Sequence, residues 1–176
     1  NTAEYVADKY KVSRTAMDEF ALNSHAKALN AISKGYFENE IAAMQLEINK
    51  FDGQKLVTLK KDFKVDEGPR AGSTIEAMAK LRSPFRAGGN ITAANSSQMS
   101  DGAAMSILMS EAKVNELGVQ PIAKLLGFAT APVDAKFMGM GPVAAVPKVL
   151  KQVGLDLKDI GLIELNEAFA SQSIAV

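Results

Sequence analysis

Asn166 is the residue whose type and position most directly suggest chemistry. It follows the apolar run 160–165, and a side-chain amide at the carboxyl end of a strand can orient a water or donate to a developing oxyanion. Asn is also among the preferred helix N-caps, so type and place alone leave both roles open. The loop Thr92-Ala-Ala-Asn-Ser-Ser-Gln, after Gly88-Gly89, has residues small enough to let a ligand pass close to the backbone, or to form a plain surface turn. Lys80, Arg82 and Arg86 could hold a phosphate, although a solvated helix end is the commoner role of such a cluster. His25, the sole histidine, reads as structural, with lining a pocket as the alternative. Met138 to Gly141, MGMG before Pro142, can line a flexible ligand chain or simply turn the backbone. The chain has no cysteine, so it carries no disulfide, thiolate metal ligand or thiol nucleophile, and no metal site is expected.

Elements of two textures must position these residues. In the first ninety or so, Thr2 is expected to cap a helix to about Tyr10. Ser13 or Thr15 is expected to cap a longer one ending at Gly35, with Met17, Phe20, Ala21, Ala28 and Ile32 along one face. Ile41 to Leu46 and Lys55 to Leu59 read as strands split by Asp52-Gly53. Ser73 with Glu76 reads as a capping box that opens a short helix carrying Ile75, Met78 and Leu81, stopped by Pro84. Beyond Gly89, the runs 103–109, 122–128 and 160–165 read as buried strands. Helices are expected at 110–117, closed by Gly118, from Pro147 to about Gly154, and from Glu167 onward with Asn166 as cap. Strands alternating with helices predict an α/β layered fold with a partly parallel sheet.

The chain has 176 residues, 47% hydrophobic and 23% charged, the make-up of a globular protein. Lys+Arg and Asp+Glu both number 20, so there is no overall field to attract nucleic acid or an anionic membrane. No run approaches the roughly 18 apolar residues of a membrane span, and the first residues do not read as a signal peptide. A cytoplasmic or organelle-matrix location is expected.

Three stretches, GNITAANSSQMSDGAAM (89–105), MGMGPVAAVPKVL (138–150) and LIELNEAFA (162–170), resemble the thiolases in order and spacing. Residues 1–29 and 66–85 also resemble thiolase sequence, from the loop domain that covers the catalytic face and binds coenzyme A. The resemblance implies a partial thiolase fold, a layered α/β structure with a mixed sheet plus a loop subdomain of short helices and strands. Residues 1–89 would be most of the loop domain, 90–118 the end of the N-terminal half, and 119–176 the start of the C-terminal half. It departs from the family in reading AANSSQ where Gly is commoner after the first Ala and after the second Ser, and in having Pro147 at a commonly basic position.

Carried over by position, the resemblance makes Asn166 the asparagine that fixes an oxyanion-hole water, and Phe169 a pocket wall. Ser97 would contact pantetheine with Ala93 beside it, Arg82 would lie near the nucleotide, and Met138 would border the acyl group. His25 sits near a variable pocket position. The implied activity is acyl transfer between a cysteine and coenzyme A, in fatty acid and lipid metabolism, with acyl-CoA as substrate and no permanently bound cofactor. The nucleophilic Cys would precede Asn1, and the GHP histidine and second Cys would follow Val176. These residues are therefore expected to be a section of a longer enzyme, inactive and poorly stable alone, whose full form is a homodimer or homotetramer. The alternatives are a non-catalytic acyl-CoA or lipid carrier and a structural relic.

Overall fold

The computed structural model describes residues 1–176. Helix α1 spans Thr2–Tyr10 and α2 spans Arg14–Ser33. Asn1, not Thr2, holds the cap position of α1, whereas Ser13 caps α2 as expected, its hydroxyl accepting from Ala16 N at 3.2 Å. Ala3 and Ala7 recur at helical spacing and pack with Val12, Met17, Ile91 and Ala170 into the buried cluster, against which Phe20 and Phe169 lean. Ile91, Ala170 and Phe169, all distant in sequence, thus pack into the cluster that α1 helps to build.

Strands β1 (Met44–Asp52) and β2 (Lys55–Phe63) pair antiparallel, with Asp52 opposite Lys55, so the first strand starts three residues later than expected. Gly53 supplies the positive φ, 62°, that a two-residue hairpin loop demands. Residue alternation puts Met44, Leu46, Ile48, Val57, Leu59 and Phe63 on one face. The other carries the Glu47–Lys60 ion pair and a Thr58–Asn49 hydrogen bond of 2.7 Å.

Helix α3, Ile75–Ala79, is capped by Thr74 rather than Ser73, the Thr74 hydroxyl accepting from Ala77 N, and it ends before Leu81. Carbonyls at and just past its end also meet a distant donor, Arg14, whose Nη2 donates to Met78 O at 2.6 Å and Leu81 O at 3.2 Å. Helix α4, Glu111–Leu117, starts one residue later than expected, with Ser110 as its cap, and closes as expected at a left-handed Gly118. A 3₁₀ segment, Ala135–Met140, runs into α5, Gly141–Val153. This helix starts six residues before the expected Pro147, which lies inside it; Pro142 takes the first-turn position instead. The missing Pro147 N–H leaves the carbonyl of Val143 without its i+4 donor, and Val143 is exposed to water. Helix α6, Ala170–Ala175, begins with Phe169 at its cap position, so the reading of Asn166 as N-cap is overturned.

The three expected core strands do not form: 103–109, 122–128 and 160–165 carry no regular structure. Met105 is 95% exposed and Ile107 81%. A strand that is apolar on both faces needs ladder partners beside it, and none lies alongside these runs. The single sheet is the β1–β2 hairpin. No helix is long and apolar enough to cross a membrane, and no cluster of His, Asp and Glu could hold a metal.

The helical half is tied together by one carboxylate. Glu4, 1% exposed, accepts from Ser83 Oγ (3.0 Å), Arg86 Nη2 (3.1 Å), Asn90 N (3.0 Å) and Ile91 N (3.0 Å). Gly89 is needed there for space, since a Cβ would stand 2.2 Å from Glu4 Oε1. Burial works to raise the Glu4 carboxyl, but the amides of Ile91 and Asn90, the Ser83 hydroxyl and the Arg86 charge outweigh it and hold the group below its ordinary 4.5. Arg86 also lowers Asp8, chiefly by hydrogen bonding at 2.6 and 3.0 Å. A lowered folded pKa gives stability that is complete above about pH 4.5 and lost as pH falls through the folded value. Glu4→Gln should therefore cost about 1–3 kcal/mol at neutral pH, because the amide end of Gln turns a donor toward donors. In urea titrations the loss of stability from about pH 6 to pH 3 should be smaller in the variant than in the native chain.

Candidate functional site

The small-residue loop is held by its own asparagine. Asn95, buried, accepts from Thr92 N through Oδ1 at 2.8 Å and donates through Nδ2 to Asn90 O at 3.0 Å and to Asp18 Oδ1 at 2.9 Å. Asp18 is buried on α2 and takes a second donor, Arg14 Nε, at 2.8 Å. The same Arg14 closes α3, so α2, α3 and the loop share one polar network. Ser96 Oγ donates to Thr92 O at 2.7 Å, tightening the turn further.

This rigid loop pairs with the segment around Phe169. Ser97 N donates to Ala168 O at 2.9 Å and Ala170 N donates to Asn95 O at 3.0 Å, with Ser96 and Phe169 as the bridge pair. Beside the junction lies a cleft of about 190 Å³. One wall is α2 with Ser24 and His25; the others are Gly68-Pro69, loop residues through Ser97 and Gln98, and Glu167. Glu167 Oε2 accepts from Ser24 Oγ at 2.5 Å, and His25 Nδ1 accepts from Arg70 N at 3.3 Å. The imidazole is thus tied through Nδ1 to the backbone just after Gly68-Pro69.

Of the residues singled out in the sequence, His25 and Ser97 line this cleft together. Ala93 is exposed on the same loop, and Phe169 joins it through the bridge while leaning on the core. Asn166 is exposed one residue before the cleft-lining Glu167, and its side chain makes no hydrogen bond within the chain. Arg82 is exposed and unpaired just after α3. Of its two cationic neighbours, Arg86 is turned inward to Glu4 and Asp8, so the three do not act as one cluster. Met138 stands apart on the 3₁₀ segment, 66% exposed. Glu4, Asp18, Asn95 and Glu167 were not singled out, because the partners that fix their roles here lie far off in sequence; of the four, Asn95 also bonds to its own loop, at Thr92 N and Asn90 O.

Residues 1–112 match the family model described as "Thiolase, N-terminal domain", and residues 119–176 match "Thiolase, C-terminal domain". The chain belongs to the thiolase family. It is 46% identical, over all its length, to a 3-ketoacyl-CoA thiolase of Bacillus subtilis, of which it covers 45%. It is equally 46% identical, over 99% of its length, to an acetyl-CoA acetyltransferase of Pseudomonas aeruginosa, covering 43% of that protein. Among solved structures, the acetyl-CoA acetyltransferase of Bacillus anthracis superposes with a TM-score of 0.83 at 44% identity, over 99% of this chain and 42% of that one. The human mitochondrial 3-ketoacyl-CoA thiolase gives 0.86 at 37% identity, with the same coverage. The chain thus spans less than half the length of these thiolases, and its class is α/β although its own strands form only the hairpin.

In this chain the loop should fail at Asn95 in a charge-dependent way. Asn95→Ala should cost about 2–4 kcal/mol, since it leaves Thr92 N–H without its acceptor and Asp18 with one donor fewer. Asn95→Asp sets a second carboxylate against Asp18, so its folded-state carboxyl is pushed up and stability is lost as pH rises through neutrality. Urea midpoints at about pH 5 and pH 7.5 check this: Asn95→Asp should be the more stable at the lower pH, and Asn95→Ala should not share that slope.

Proposed function

We propose that these residues are the coenzyme A-facing section of a longer thiolase that moves an acyl group between a cysteine thiol and coenzyme A. In the degradative direction a thiolate attacks the 3-keto carbonyl of the substrate, the Cα–Cβ bond breaks, and the departing acetyl-CoA carbanion takes a proton. The thiol of a second coenzyme A then accepts the acyl group and frees the cysteine. The two cysteines and the catalytic histidine belong, in this reading, to residues outside 1–176. The observation that carries it is the paired junction of loop 95–97 with 168–170, which brings the Ser97 and His25 cleft against the NEAFA segment.

Ser97 and Ala93 would flank the pantetheine arm, with His25 on the α2 wall. Arg82 would meet phosphate near the nucleotide, Phe169 would wall the pocket, and Met138 would border the acyl group. Asn166 would hold the water that donates to the thioester oxygen, a role supported by its freedom from capping α6. Residues 1–89 would make up most of the loop domain, 90–118 would end the N-terminal half and 119–176 would begin the C-terminal half. The whole protein would act in fatty acid metabolism as a homodimer or homotetramer, in the cytoplasm or an organelle matrix, with acyl-CoA as substrate and no resident cofactor.

Thiolysis of acetoacetyl-CoA by the full-length protein tests the proposal, and binding of coenzyme A without turnover would mark a carrier instead. Asn166→Ala should lower kcat about a hundredfold or more with KM little changed, as loss of an oxyanion-hole partner does. Arg82→Glu breaks no internal ion pair, so it should raise KM for coenzyme A at low salt and do so less as salt screens the charge.

A further inference from the structure

We propose that Gln172 is a positioning residue that sets where Met138 stands, and so tunes which acyl groups the site accepts. The inference rests on the thiolase reading above, in which Met138 borders the acyl group. Gln172 is 5% exposed on α6, and its stem fills the space beside Gly139: a Cβ on Gly139 would stand 2.8 Å from Gln172 Cγ and 3.1 Å from Gln172 Cβ. Gln172 Oε1 has no donor within the chain, so what the residue contributes at this contact is packing.

The segment around Met138 has a shape that local preference does not supply. Phe137 leaves helical geometry, at φ −120° and ψ 32°, inside the 3₁₀ turn. Its ring lies under Lys9 Nζ at 4.1 Å. Met140 is buried, and the Gly141 N–H donates to Met138 O. The residues on either side of Met138 are therefore held, while Met138 itself is exposed. A three-bond thioether in that place follows whatever the turn beneath it does.

Helix α6 connects this turn to the other end of the site. Ala170 N is bonded to Asn95 O in the loop that carries Ser97, and Gln172 lies two residues further along the same short helix. The spacing between the Ser97 loop and the Met138 turn is thus fixed through α6, with Gln172 as the contact at the Met138 end. A glycine at 139 and a long unbranched stem at 172 are a matched pair: enlarging the first without trimming the second pushes the turn away.

The test uses the full-length protein and the ratio of kcat/KM for acetoacetyl-CoA to that for a longer 3-ketoacyl-CoA. Gly139→Ala should change this ratio about tenfold, and adding Gln172→Ala should return it toward the native value by making room for the new methyl. Gln172→Ala alone should shift the ratio, whereas Gln172→Met, which keeps the unbranched stem, should hold it within about twofold. A ratio unchanged in Gln172→Ala, or a double variant no closer to native than Gly139→Ala, would overturn the proposal. If Gly139→Ala fails to fold, the two Gln172 variants decide alone. A native protein with no thiolysis of either substrate would instead overturn the reading of function on which the inference stands.

Discussion

The buried carboxylate of Glu4 is the constraint on which the remaining geometry rests. An ionised carboxylate out of water costs several kcal/mol unless its lone pairs are filled. Here the donors come from residues 83, 86, 90 and 91, so α1 is stable in its place only if that whole stretch wraps around it. The wrap leaves no room for a side chain at Gly89 and delivers Ile91 into the core between α1 and α2. From Ile91 the chain enters the Thr92–Gln98 loop already aimed, and the candidate cleft inherits its position from that entry.

A second polar node, Asn95 with Asp18 and Arg14, converts the aimed loop into a rigid one. Each buried donor and acceptor in it is matched, so the loop has little freedom to relax when a ligand arrives. Preorganisation of this kind reduces the ordering cost of holding a long flexible ligand. The turn that carries Met138 adds close packing to its own backbone hydrogen bonds, the stem of Gln172 lying against Gly139.

Local elements whose ends are chemical signals were legible in the residues. Ser13 caps the helix it was expected to cap, Gly118 closes the helix expected over 110–117, and Gly53 turns the hairpin where a positive φ is needed. Propensity misplaced boundaries where two capping residues adjoin, as with Ser73 and Thr74, and where proline appears twice, as with Pro142 and Pro147. The strands expected at 103–109, 122–128 and 160–165 failed for a different reason. Apolar composition records the tendency to be buried, but strand formation needs a neighbour, and the exposed Met105 and Ile107 have none beside them.

By itself the sequence determined the family, through motifs such as GNITAANSSQMSDGAAM and LIELNEAFA, and it determined the absence of a thiol nucleophile from these residues. Only the tertiary structure decided that His25 and Ser97 share a cleft, that Arg86 turns inward while Arg82 stays free, and that Gln172 packs on Gly139. The physical reason is range. Caps, turns and motifs act over three or four residues, so composition and spacing record them. The contacts of Glu4 with Ile91 and Asp18 with Asn95 join groups that become neighbours only when the whole chain has minimised its buried, unpaired polar groups.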